Sequence, residues 1–105
     1  MTVPEPLPAD EVARRLAAMP GWRGDIREIS KTFAHTYHAI IHLISYVAAK
    51  AQEISHHPDM DVRWQRITFR ITTHDAGNRV TERDFELARD IDQIAERNGA
   101  TPVEE

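Results

Sequence analysis

Half of the six histidines of this chain lie close together in sequence, as His56-His57-Pro58 and His74. Neutral imidazole accepts a proton and imidazolium donates one, both near physiological pH. Several imidazoles in a chain with no cysteine point to proton transfer on a small molecule, not to thiol chemistry or a thiolate metal site. No serine stands in an elbow-like context, so acyl transfer through a serine nucleophile has no support.

Such chemistry requires the imidazoles to meet, and the spacing suggests how. Ile67, Phe69 and Ile71 alternate with Thr68, Arg70 and Thr72, the pattern of a half-buried strand. Val62 to Trp64 reads as a short strand before it. If the two turn at Gln65-Arg66, residues equally distant from the turn face one another. His57 then stands opposite His74 at the open end of the hairpin. Gln-Arg is not the Asn-Gly or Asp-Gly pair that such turns prefer, and a one-residue shift would spoil the pairing but keep the histidines close. Strict alternation puts His74 with Thr68, Arg70 and Thr72, away from Phe69, so the face of the site stays open. Pro58 biases His57 away from helical backbone, so the preceding helix must end there. The plainer alternative makes His56 and His57 only favourable cations at a helix C-terminus.

The elements that must position these residues follow from periodicity and capping. Asp10 to Met19 reads as a first helix, stopped by Pro20-Gly21. Trp22 to Arg27 and Ile29 to His35 are expected strands. Residues 36 to 54 form a long helix whose apolar residues, including Ile40, Ile41, Leu43, Ile44, Val47 and Ala51, cover more than one face. That surface exceeds what one small sheet needs and predicts a second copy of the protein as partner, in a homodimer or homotetramer. Thr81 and Asp84 match the capping-box pattern with Asp in place of Glu, and Val80 can staple onto Phe85. The helix they open ends at Asn98-Gly99. The order α-β-β-α-β-β-α, with helices on one face of the strands, is an α+β sandwich.

At 105 residues the chain is expected to be one domain, frayed over residues 1–8 and 99–105. The net charge of −4 and the lack of a basic stripe argue against nucleic acid as a partner. No apolar run has the length of a membrane span, and Met1-Thr2-Val3-Pro4 opens no signal peptide, so no membrane partner is expected. The absence of cysteine fits a cytoplasmic location. His38 and His42, four apart, could hold a metal but lack a third ligand in sequence and read as a solvated or interface stripe. His35 reads as a strand-to-helix junction. A zinc site made of His56, His57 and His74 is disfavoured, because adjacent ligands diverge unless the backbone bends sharply.

The combined motif resembles the pterin-4a-carbinolamine dehydratase family, whose animal members are also dimerisation cofactors of a homeodomain transcription factor. His56-His57-Pro58 is followed by the aromatic Trp64, then by His74 and Asp84, at the family's spacing. Thr72-Thr73-His74-Asp75-Ala76-Gly77, Thr81-Glu82-Arg83-Asp84 and Gly21-Trp22 also look like the family, and the similarity covers roughly residues 10 to 96. Four positions before His56, where the family usually carries a charged residue, stands Gln52, with Glu53 beside it. The resemblance implies a four-stranded antiparallel sheet with three helices on one face, dimers or tetramers, and no metal or organic cofactor. It implies loss of water from a 4a-hydroxytetrahydropterin, giving quinonoid dihydropterin. His56, His57 and His74 would be the catalytic set, with His56 and His74 as acid–base groups and His57 mainly binding. Substrate contacts would come from His57, Pro58, Trp64, Thr73, Asp75 and Asp84. A non-catalytic pterin-binding or protein-interaction module is the alternative.

Overall fold

The computed structural model describes residues 3–103. Among them the chain forms α1 (Ala9–Ala17), β1 (Arg23–Gly24), β2 (Ile29–Ala34), α2 (Tyr37–Ile54), β3 (Asp59–Arg63) and β4 (Arg66–Ile71). A short 3-10 turn (His74–Ala76), α3 (Glu82–Arg97) and β5 (Thr101–Pro102) follow. The fold is α+β, with the strands paired antiparallel in the order β1-β2-β4-β3.

The fifth strand departs from the four-stranded expectation. β1 pairs with Ile29 and Ser30 of β2, and β5 pairs with Phe33 and Ala34 of the same strand. Two two-residue strands thus share one sheet edge. Residues 99–103 are therefore not frayed: beyond β5 the Val103 N–H donates to the Thr32 carbonyl at 2.9 Å. Pro102 is tolerated because it sits on an edge. The segment before α1 is tied down too. The Leu7 N–H donates to Val80 O at 2.9 Å, and Arg79 Nη2 donates to Leu7 O at 3.1 Å. Residues 1, 2, 104 and 105, included in the same fraying expectation, lie outside the described residues.

The alternation in β4 decides where the core sits. Ile67, Phe69 and Ile71 are fully buried while Arg70 is exposed. With Ile29 and Phe33 of β2 they form the face that the helices cover, through Val12 of α1, Ile40, Leu43 and Val47 of α2, and Phe85, Leu87 and Ile91 of α3. Phe33 and Phe69 meet edge to face, with centroids 6.0 Å apart. Burying each such large side chain contributes roughly 1.5–3 kcal/mol, which suffices to set the sheet's register against the helices.

Two strand expectations need correction. The predicted strand Trp22–Arg27 is cut to Arg23–Gly24. The Asp25 carboxylate accepts from the N–H groups of Arg27 (2.7 Å) and Glu28 (3.3 Å), folding the chain into a side-chain-supported turn. Trp22 is instead buried, donating Nε1–H to Asp92 at 3.0 Å. In the second hairpin Val62 pairs with Ile67 and Arg63 with Arg66, so the turn is Trp64-Gln65, one residue earlier than expected. Trp64 takes φ +52, the positive φ that the first position of these turns requires. Continued past Asp59↔Arg70, this register sets His57 opposite Thr72 instead of His74.

α2 is capped by Thr36, whose hydroxyl accepts from the Ala39 N–H at 3.2 Å. It buries Ile40, Leu43, Val47 and Ala51 and leaves Tyr37, Ile41 and Tyr46 about half exposed. Among the described residues no helix is long and apolar enough to cross a membrane.

Candidate active site

α2 ends in a turn that aims the histidine pair. Ser55 adopts the left-handed conformation (φ 55, ψ 41), and the His56 N–H reaches back to Ala51 O at 3.1 Å. That six-to-one bond is a Schellman closure. It reverses the chain under the helix end, and Pro58 keeps it from recoiling. Arg83 of α3 clamps the same end, donating from Nη2 to the carbonyls of Ile54 (2.9 Å) and Ser55 (3.4 Å). These are the unpaired acceptors every helix leaves at its C-terminus, where a cation is favoured.

His56 is nearly buried and donates Nε2–H to Asp84 Oδ1 at 2.7 Å. Asp84 is fully buried in the first turn of α3. Its other oxygen accepts from the Thr81 backbone N–H and from the Thr73 hydroxyl, both at 2.8 Å. Since Thr73 donates to the carboxylate, Thr81 Oγ1 must donate to Thr73 Oγ1, 2.8 Å away. Both halves of the capping box are present, and the favourable electrostatics of a helix N-terminus support the negative charge. One carboxylate thus caps α3 and orients His56, and it pairs the buried donors of His56, Thr73 and the Thr81 backbone. Because Asp84 holds Nε2–H, Nδ1 is the His56 ring nitrogen left with its lone pair.

His74 arrives differently. Thr73 and Arg79 form a β-bridge that pins the base of an exposed loop. Just inside the bridge His74 Nδ1 and Asn78 Oδ1 are 2.8 Å apart. Gly77 (φ +75) and Asn78 (φ +59) make the bend.

These pieces enclose a cavity of about 240 Å³ whose wall includes His56, His57, Pro58, Thr73, His74 and Asp75, with Arg83 beside them. The shifted register keeps the three histidines on one cavity. His57 is exposed at its rim. Asp84 lies behind His56 and not on the wall, so it reaches the cavity through that ring. Trp64 is not brought to this cavity. It stands 74% exposed at the hairpin tip, five strand residues from the His57 end, roughly 17 Å away along β3. Gln52 is exposed and outside the wall, and Glu53 faces Lys50 at 3.6 Å. The carboxylate that orients an imidazole therefore comes from α3, not from the last turn of α2. Arg83 and Asn78 were not singled out as site residues. Asn78 carried only its turn-forming signal, and Arg83 only its place beside the cap.

Two larger hollows lie elsewhere, about 480 Å³ between α2 and α3 and about 450 Å³ beside Lys31 and Phe33. Neither wall contains a histidine, so chemistry and not volume selects the smaller one. The remaining histidines have local partners. His35 donates Nε2–H to the Asn98 carbonyl and accepts the Thr36 N–H at Nδ1, both at 2.8 Å, tying the end of α3 to the start of α2. His38 and His42 hydrogen-bond each other at 3.1 Å on the exposed face of α2. Among the described residues no group of three or more His, Cys, Asp or Glu side chains is arranged to hold a metal ion.

Residues 5–94 match the family model described as "Pterin 4 alpha carbinolamine dehydratase". A relative from Nocardia farcinica, named "Putative pterin-4-alpha-carbinolamine dehydratase", is 42% identical over 92 residues, covering 87% of this chain and 96% of its own. One of the same name from Chloroflexus aurantiacus is 44% identical over 85 residues, covering 80% of this chain and 90% of its own. A crystal structure described as a transcriptional coactivator/pterin dehydratase from Brucella melitensis superposes with a TM-score of 0.80 at 26% identity. That match covers 87% of this chain and 99% of the other.

Proposed function

We propose that this chain, which belongs to the pterin 4 alpha carbinolamine dehydratase family, removes water from a 4a-hydroxytetrahydropterin by histidine acid–base catalysis, yielding the quinonoid dihydropterin in a pterin-recycling pathway. The observation that carries the reading is the convergence of His56, His57 and His74 on one cavity, with His56 backed by a buried carboxylate.

The chemistry suits what these groups offer. Hydroxide leaves poorly, so an acid must protonate it as the C4a–O bond breaks and the electron pair goes to oxygen. A base must take one proton from the ring system. The proton given and the proton taken balance, and the protein ends in its starting charge state. Positioned imidazoles supply both steps, each worth ~10²–10⁴-fold in rate. His56 and His74 are assigned the proton transfers, and His57 at the rim is assigned to binding. Pro58, Thr73 and Asp75 shape the wall the substrate meets. No metal or organic cofactor is part of this reading. A cytoplasmic setting belongs to it, as does self-association through the half-exposed apolar face of α2. Light scattering should give a mass of two or four 12.0 kDa chains.

The decisive experiment is a carbinolamine dehydration assay on the purified protein. Acceleration over the spontaneous rate supports the enzyme, and a rate equal to it overturns it. The likeness to the Brucella protein, described as a transcriptional coactivator/pterin dehydratase, favours one second reading, a protein-interaction module of the same fold. That reading gains if the wild-type chain is inactive.

A further inference from the structure

We infer that Asn78 is a positioning residue for His74, holding its ring with the proton on Nδ1 so that Nε2 is the lone-pair nitrogen offered to the substrate. The inference rests on the proposed dehydratase reading for its kinetic consequence, but its structural half stands alone.

The argument begins with the backbone. Asn78 sits at φ +59, a conformation that non-glycine residues seldom adopt and that Asn and Asp tolerate best. Glycine would meet the backbone demand with less strain. What glycine lacks is an acceptor. The Asn78 side-chain oxygen lies 2.8 Å from His74 Nδ1, and an amide oxygen only accepts, so the ring nitrogen must carry the proton. The Thr73–Arg79 bridge brings the two ends of the loop together just outside this pair, so the hydrogen bond spans the loop's mouth. Asn is thus the residue type that serves the left-handed corner and supplies an uncharged acceptor. Its contrast with Asp84 is chemical. Each histidine is gripped at one nitrogen, His56 at Nε2 and His74 at Nδ1. The two therefore present opposite ring nitrogens to the shared cavity. A carboxylate can neutralise His56 when Nδ1 takes up a proton, and the Asn78 amide gives His74 no such counter-charge.

The test uses the full chain and two variants, Asn78→Gly and Asn78→Asp. Glycine keeps the φ +59 corner and removes only the acceptor. Ring-nitrogen NMR of the wild type should show His74 in the Nδ1–H tautomer, and Asn78→Gly should convert it to a mixture of tautomers. In the dehydration assay Asn78→Gly should lower kcat about 10-fold with KM changed less than about twofold. Asn78→Asp keeps the geometry and adds a charge, so the acidic limb of the pH–rate profile should move up by about one pH unit. A wild-type His74 protonated on Nε2, or an unchanged tautomer in Asn78→Gly, overturns the inference whether or not the protein is active. A raised KM at constant kcat also overturns it, because it would make Asn78 a binding residue. An inactive wild type whose tautomer behaves as described instead defeats the dehydratase reading and leaves the positioning of His74 standing.

Discussion

His56 and His74 reach one cavity from two kinds of ground. His56 hangs from the end of a long helix, is 8% exposed, and is gripped by a carboxylate that is 0% exposed and also caps another helix. His74 rides on an exposed loop, gripped by a neutral amide within that same loop. Misplacing the first disturbs α2, α3 and the Thr73 strand end together. Misplacing the second disturbs five residues. The difference teaches that one half of the candidate site is inseparable from the stability of the fold, while the other can be altered almost independently of it.

The largest expected effect comes from the shared carboxylate. Asp84→Ala leaves the His56 ring, the Thr73 hydroxyl and the Thr81 N–H without their buried acceptor. It should cost about 3–5 kcal/mol in a urea-denaturation measurement and bring dehydration to its spontaneous rate. A stable, active Asp84→Ala protein would break the comparison at its root. Next, His74→Ala should lower the dehydration rate at least ~10²-fold while moving the unfolding free energy by less than about 0.5 kcal/mol. Equal stability losses in these two variants would show that the loop is as deeply coupled as the core side. A smaller effect sharpens the contrast between the two left-handed corners. Ser55→Gly relieves the φ 55 backbone just before His56 and should raise stability by about 0.5–1 kcal/mol. At Asn78, where the side chain carries the hydrogen bond, the same replacement should bring a kinetic loss.

The smallest effect is a control far from the cavity. Hydrogen bonds from Arg14 and then Arg15 hold the Glu11 carboxyl on α1 well below the usual carboxylate range, at about 2. A carboxyl depressed in the folded state contributes stability above the ordinary value of 4.5, and that contribution is lost as pH falls toward 2. Comparing wild type with Glu11→Gln between those limits should show a slight difference that vanishes at the acid end. Exposure and salt screening keep it small.

Much of the frame was legible because the signals were local. The Thr81–Asp84 cap, the Ile67-Phe69-Ile71 alternation and the stop at Pro58 are each written within a few residues. What escaped depends on contacts distant in sequence. Thr101-Pro102 reads as a fraying tail until β2 supplies the edge it pairs with. Trp64 reads as a strand residue because nothing about tryptophan announces a positive φ. The two hairpin errors had one cause each, a side-chain acceptor at Asp25 and a backbone corner at Trp64. Neither disturbed the gathering of histidines, since a one-residue shift at the turn leaves the open end in place. Asp84 was read as a cap or a site contact; the structure makes it the cap and sets it behind His56, off the cavity wall.

That double duty has a consequence for watching the molecule at work. The Thr81 amide proton is held by the same carboxylate oxygen that accepts from Thr73, one atom away from the oxygen holding His56. Its exchange with deuterated solvent requires the cap to open, and the opening loosens the carboxylate on which His56 is anchored. The exchange of a single proton at position 81 is therefore a clock for the integrity of the histidine-lined end of the protein, readable without substrate.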